Sequence, residues 1–129
     1  MTLLNDNETT LSVLREAVSG FVRERKWERF HNPKNLAESI CIEASELLEI
    51  LQWFTTDESK AFSKNPANVK RLSEELADVI VYCLALANAV QIDISNSVAS
   101  KLKDNSRRYP IARCKEVVPY RRKHGGRKT

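Results

Sequence analysis

At 129 residues the chain is long enough to bury a core of its own and reads as a single main domain. Three glycines and four prolines, with Leu, Ala, Glu, Lys and Ser filling the periodic stretches, point to an all-helical fold. The net charge of +4 is unevenly placed: residues 111–129 hold seven Lys or Arg against one Glu, a local balance of +6, which leaves residues 1–110 at −2. The longest unbroken apolar run, Val79 to Ala87, is too short to span a bilayer. No basic-then-apolar leader opens the chain, so a cytoplasmic location without membrane attachment is expected. Cys41, Cys83 and Cys114 show no metal-ligand spacing, and the first two lie in apolar runs that predict buried thiols rather than a disulfide.

Residues 1–8 are polar. Thr9 or Thr10 caps a first helix carrying Leu11, Leu14, Val18 and Phe21 at helical spacing, which fades near Trp27. Asn32-Pro33 is a cap followed by a first-turn proline, and it opens a second helix through about Trp53. Residues 55–65 read as a polar connection. Asn65-Pro66 repeats the cap-proline signal and opens a third helix to about Val90. Asp93 or Ser95 caps a fourth, which runs to about Tyr109 and is stopped by Pro110. Four helices with short links predict a four-helix bundle. The third is apolar nearly all round between Val79 and Ala87, more than one small bundle can bury, so a homo-oligomer using this helix is expected. The expected division is a helical domain over 1–110 and a basic, flexible tail over 111–129.

Two carboxylate pairs interrupt the apolar helices. Glu43 and Glu46 lie within Leu36 to Trp53, and Glu75 and Asp78 within Leu72 to Val90. Residues three apart share a helix face, so each pair points one way. Glu43 falls on the apolar stripe Leu36, Ile40, Leu47, Ile50, Phe54, where an unpaired charge is costly. If the two helices pack antiparallel, four carboxylates converge with no Lys or Arg among them. Such a set suits a hard divalent cation such as Mg2+, whose usual partner is a triphosphate. Glu49 extends the series but drifts around the helix.

Lys101, Asn105 and Arg108 share one face of the fourth helix and, with Arg107 and Tyr109, suit phosphate oxygens; taken alone, they read first as a cationic last turn that complements the helix dipole. Trp27, Phe30 and His31 precede the second helix and Trp53 ends it, placing aromatic rings where a base could stack or where a core is made. Glu28-x-x-His31 has the spacing of di-iron bundles, but such sites need two copies in helix interiors and here there is one, beside Pro33.

Four segments together carry a resemblance: Trp27 to Leu36, Glu43-x-x-Glu-Leu-x-Glu49 through Gln52-Trp53, Glu74 to Tyr82, and Lys101-x-x-x-Asn-x-x-Arg-Tyr-Pro110. Across residues 10–110 the chain resembles the MazG-like all-alpha nucleoside triphosphate pyrophosphohydrolases, nearest the dCTP pyrophosphatase branch. The resemblance implies Mg2+ held by Glu43, Glu46, Glu75 and Asp78. It implies cleavage of a dNTP, dCTP or a related nucleotide, to the monophosphate and pyrophosphate, with Glu43 or Glu46 as general base. It further implies a symmetric assembly, a tetramer or dimer, with sites at subunit interfaces. By the same likeness Trp27, His31, Trp53 and Tyr82 border the nucleoside, and Lys101, Asn105 and Arg108 the phosphates. Vertebrate members carry a His nine residues before the first Trp; here Val18 stands there, and the tail beyond Pro110 has no counterpart.

Two other readings share these residues. One is a pyrophosphatase for modified or damaged nucleotides using the same site. The other is a helical nucleic-acid-binding module that uses the basic tail. The second leaves the carboxylates on the apolar stripe unexplained, and the acidic body opposes it.

Overall fold

A computed structural model describes residues 4–116, with the side chains of 115 and 116 left aside. Every regular element among them is helical, in the order α1 (Leu11–Glu24), a 3-10 turn (Glu28–Phe30), α2 (Pro33–Leu51), α3 (Thr56–Phe62), α4 (Pro66–Val90), α5 (Ile94–Arg108) and a 3-10 helix (Ile111–Glu116). The part of the expected tail from 117 onward lies outside the described residues. No single helix among those described is long and apolar enough to cross a membrane.

The helix starts follow from local chemistry. Thr10, Asn32, Asn65 and Asp93 each turn a side-chain oxygen onto a backbone N–H of the first turn, and Pro33 and Pro66 stand where a missing N–H costs nothing. The polar connection expected over 55–65 contains a seven-residue helix instead. Its cause is a capping box: Glu58 N–H donates to Thr55 Oγ1 at 3.2 Å and Thr55 N–H donates to Glu58 Oε2 at 2.7 Å. Phe62 closes α3 and meets Phe54 edge to face at 5.3 Å, which ties α3 to the end of α2.

The described residues fall into two compact units, divided between Ile92 and Asp93. In the first, α2 packs along α4, and α1 also packs on α4. Leu36 and Ile50 of α2, Val22 of α1, Phe62 of α3 and Leu84, Ala85 and Ala87 of α4 make its buried core. The second unit holds α5, whose cap bond runs from Asn96 N–H to Asp93 Oδ1 at 2.8 Å.

The apolar run on α4 is only partly covered: Leu84, Ala85 and Ala87 are buried, whereas Ile80 and Val81 are exposed. On α2 and just beyond it, Ile42, Leu48 and Trp53 reach 58%, 64% and 87% exposure. Cys41 and Cys83, expected to be buried, are exposed free thiols. Among the described residues, α2 and α4 reach the core through Leu36 and Ile50 and through Leu84, Ala85 and Ala87, and the two thiols are left outside it. Cys114 is half-buried and also free.

Candidate metal centre and adjoining cavity

The packing of α2 on α4 turns two ordinary helical spacings into a cluster. Carboxylate oxygens of Glu43, Glu75 and Asp78 lie within 4.8 Å of one another. It is the only group of metal-capable side chains of this kind among the described residues, and Glu28 and His31 stand outside it. Glu43 and Glu75 are half-buried and Asp78 is exposed. Glu46 sits one turn from Glu43 on the same helix. None of the four makes an ion pair among the described residues. Glu74, next along α4, is different: it pairs with Lys70 at 3.2 Å on a solvated face.

The cluster shows in its proton affinity. Partial burial, most of all, holds the Glu43 carboxyl above its ordinary value; the neighbouring carboxyl of Glu46 and the negative charges of Asp78 and Glu75 push the same way. No described Lys, Arg or His pairs with these carboxylates. All-oxygen donors of like charge, held by two packed helices, fit a hard divalent cation.

A cavity of about 290 Å3 lies between α1, the 3-10 turn and α4. Val18, Val22, Ala85 and Ala89 supply apolar wall, while Ser19, Glu28, His31 and Asn88 bring polar groups. The turn that delivers Glu28 and His31 begins at a reversal of the chain after α1. Lys26, at φ 54°, donates its N–H to Arg23 O, and Trp27 N–H reaches Val22 O, which closes the helix end in a Schellman motif. Trp27 then rests edge to face on Phe21 at 5.8 Å. On α4, Asp78, Tyr82, Ala85 and Ala89 follow one face, so cluster and cavity share a side of this helix. Asp78 and Ala85 are seven residues apart, about 10 Å along the axis at 1.5 Å per residue.

Of the residues read from sequence, the structure gathers Glu43, Glu75 and Asp78 together, leaves Glu46 outside that group one turn along α2, and sets His31 at the cavity. Tyr82 is half-buried on the connecting face of α4. Trp27 is partly exposed beside Phe21, and Trp53 stands out in solvent just past α2. Lys101, Asn105 and Arg108 lie on α5 in the second unit, Asn105 half-buried and the other two exposed. Arg107 pairs with Asp104 at 3.8 Å. Asn88, Ser19 and Arg15 were not singled out by the sequence. Asn88 carries the same signal that exposed Glu43, a polar side chain closing an apolar helical run.

The MazG-like family profile matches residues 38–118, the stretch that carries all four carboxylates. The human protein dCTP pyrophosphatase 1 is 41% identical over 103 residues, 80% of this chain and 61% of that protein. Its bovine counterpart is 37% identical over 105 residues, 81% of this chain and 62% of that protein. A crystal structure of a pyrophosphatase from Archaeoglobus fulgidus superposes with a TM-score of 0.72 at 34% identity, covering 84% of this chain and 99% of the other. The chain belongs to the MazG-like family. It spans about three-fifths of the length of its curated mammalian relatives.

Proposed function

We propose that this protein is a divalent-cation-dependent nucleoside triphosphate pyrophosphohydrolase, which converts a dNTP to the monophosphate and pyrophosphate. The observation that carries the reading is the cluster of Glu43, Glu75 and Asp78 oxygens, drawn from two helices to within 4.8 Å, in a chain of the MazG-like family. Its relatives named dCTP pyrophosphatase 1 and the Archaeoglobus pyrophosphatase support the reaction class, and the first of these suggests dCTP or a related nucleotide.

Glu43, Glu46, Glu75 and Asp78 would hold the cation, Mg2+ being the one this donor set suits best. When bound, it supplies neutralisation of triphosphate charge and acidification of water. The chain's own part is to orient and deprotonate. Glu43 holds a proton more firmly than an ordinary carboxylate. It, or Glu46 one turn away, is therefore suited to take the proton of the attacking water. Lys101, Asn105 and Arg108 share one helical face, and we assign them to phosphate oxygens.

The nucleoside end follows from the cavity. Its volume is near the low end of the ~300–1,000 Å3 typical of ligand pockets, room for a base rather than a whole nucleotide. The shared face of α4 gives the remaining length, with the triphosphate toward Glu75 and Asp78 and Tyr82 between. Trp27, His31 and Trp53 complete the nucleoside surroundings in this reading. The exposed apolar side chains Ile42, Leu48, Ile80 and Val81 favour a homo-oligomer, dimer or tetramer, that covers them.

Pyrophosphate and monophosphate release from a panel of natural and modified dNTPs, with and without Mg2+, tests the function. Cation-dependent formation of both products is expected. Release of orthophosphate alone, or no turnover with any nucleotide, would overturn the reading.

A further inference from the structure

Asn88 has its amide orientation imposed on it from α1. Arg15 Nε donates to Asn88 Oδ1 at 3.0 Å, and Asn88 Nδ2 donates to the backbone oxygen of Arg15 at 3.0 Å. A guanidinium can only donate and a carbonyl can only accept, so the amide has one possible orientation. The guanidinium is itself pinned: its Nη1 donates to Ile92 O at 2.8 Å and its Nη2 to Ala87 O at 3.3 Å. Among the described residues, the second N–H of Nδ2 and the second lone pair of Oδ1 take no partner. Asn88 is half-buried and lines the cavity, with Glu28 also contributing to the lining.

We propose that Asn88 is the specificity-determining residue of the base site, with Arg15 as the positioning residue that fixes its amide. The inference rests on the reading of the cavity as the base pocket. A donor and an acceptor held in fixed places suit a base that offers an acceptor to the one and a donor to the other, as an asparagine suits adenine. The Glu28 carboxylate, when ionised, only accepts, so it favours a base with an exocyclic amino group. Together they select amino-bearing bases, cytosine or a purine, over thymine and uracil. The apolar wall of Val18, Val22, Ala85 and Ala89 offers no hydrogen bond, so a mismatched edge of the wrong base turned against it is left without a protein partner.

The experiment compares kcat/KM for dCTP, dATP, dGTP, dTTP and dUTP in the wild type, Asn88→Ala and Asn88→Asp, beside inhibition by inorganic triphosphate. The wild type should prefer one or more of the amino-bearing bases. Asn88→Ala should narrow that preference by about tenfold, the scale of one good hydrogen-bond pair, with triphosphate inhibition unchanged. Asn88→Asp keeps an acceptor for Arg15 but loses the N–H, so it should narrow the preference too and serves if the alanine variant does not fold. Arg15→Lys, which lacks the fork, should narrow it less. An unchanged ratio in both Asn88 variants, or an equal loss for all five nucleotides, would overturn the assignment while leaving the hydrolase reading intact. A wild type inactive on every nucleotide would overturn both.

Discussion

Arg15 closes the far end of a helix to which it does not belong: its guanidinium donates to the backbone oxygen of Ile92 at 2.8 Å, 77 residues away in sequence. Ala87 O also accepts from the backbone N–H groups of Gln91 and Ile92, and a cation beside this helix C-terminus complements the helix dipole. The same side chain reaches Ala87 and Asn88, so it joins α1 to α4 at one point. Arg15→Met should therefore destabilise the fold by about 1–3 kcal/mol, the cost of losing charge-assisted bonds at a half-buried site. Urea unfolding followed by far-UV circular dichroism measures it. A change below about 0.5 kcal/mol, the scatter of ordinary surface substitutions, would count against the clamp.

The raised proton affinity of Glu43 makes the cation-free protein pH-sensitive in a stated direction. A carboxyl whose folded value lies above its unfolded value favours folding most when protonated in both states. That contribution is present below the ordinary carboxylate value and is lost as pH rises through the folded one. The melting temperature without divalent cation should thus fall, in this component, as pH rises from the ordinary carboxylate range toward neutrality. Glu43→Gln should flatten the dependence and melt higher than the wild type near pH 7. Saturating Mg2+ should reverse the order at that pH, because a ligand of the folded state stabilises it by mass action. Parallel wild-type and Glu43→Gln profiles across the range would show that the cluster carries no such strain.

Asp78 is the most exposed of the three clustered carboxylates, and replacing it leaves the core untouched. Asp78→Asn should remove turnover by two powers of ten or more, on the order of what catalytic electrostatics supply, while the helical signal and the unfolding midpoint stay near the wild type. Glu46→Gln should behave alike. Full activity in both variants would remove these groups from the cation site.

Trp53, 87% exposed, contributes little to the folding of this chain. If it stacks on the nucleoside, Trp53→Ala should weaken nucleotide binding by about one to two powers of ten, since stacking is worth ~1–3 kcal/mol per base. Inorganic triphosphate has no base and should bind as before. Sedimentation of the variant separates the remaining possibility: equal losses for both ligands together with a reduced mass would make Trp53 an interface residue.

Lys26 and Gln91 occupy left-handed backbone, at φ 54° and 56°, where a Cβ is disfavoured by ~1–2 kcal/mol. Each ends a helix through a bond to its interior: Lys26 N–H donates to Arg23 O and Gln91 N–H to Ala87 O. Lys26→Gly and Gln91→Gly should each stabilise the protein by about 0.5–1 kcal/mol, net of glycine's larger entropy when unfolded. Thermal unfolding reads the result, and a loss of stability in both would mean that their side chains hold more than the turn.

Much of this molecule was legible before folding was considered, because its helix starts are decided within a few residues. Thr10, Asn32, Asn65 and Asp93 cap helices by bonds to N–H groups two or three positions away, and Pro33 and Pro66 occupy first turns that tolerate them. The pairing of Glu43 with Glu46 and of Glu75 with Asp78 has the same short range, since three residues apart on a helix means one face. Even α3 was written locally, in Thr55 and Glu58, though its seven residues were too few and too polar to show a stripe. What α2 and α4 do to each other is not local. Glu43 lies more than thirty residues before Glu75 and Asp78 in the chain. Only the register of one helix against the other brings their oxygens within 4.8 Å and lifts the proton affinity of Glu43. The same register left Cys41 and Cys83 on uncovered faces, where apolar neighbours in sequence had suggested burial. Arg15 and Asn88 meet for the same reason: a guanidinium on α1 finds the Ala87 carbonyl and the Asn88 amide of α4 only after side-chain packing has set the two helices side by side, and no spacing along the chain encodes that contact.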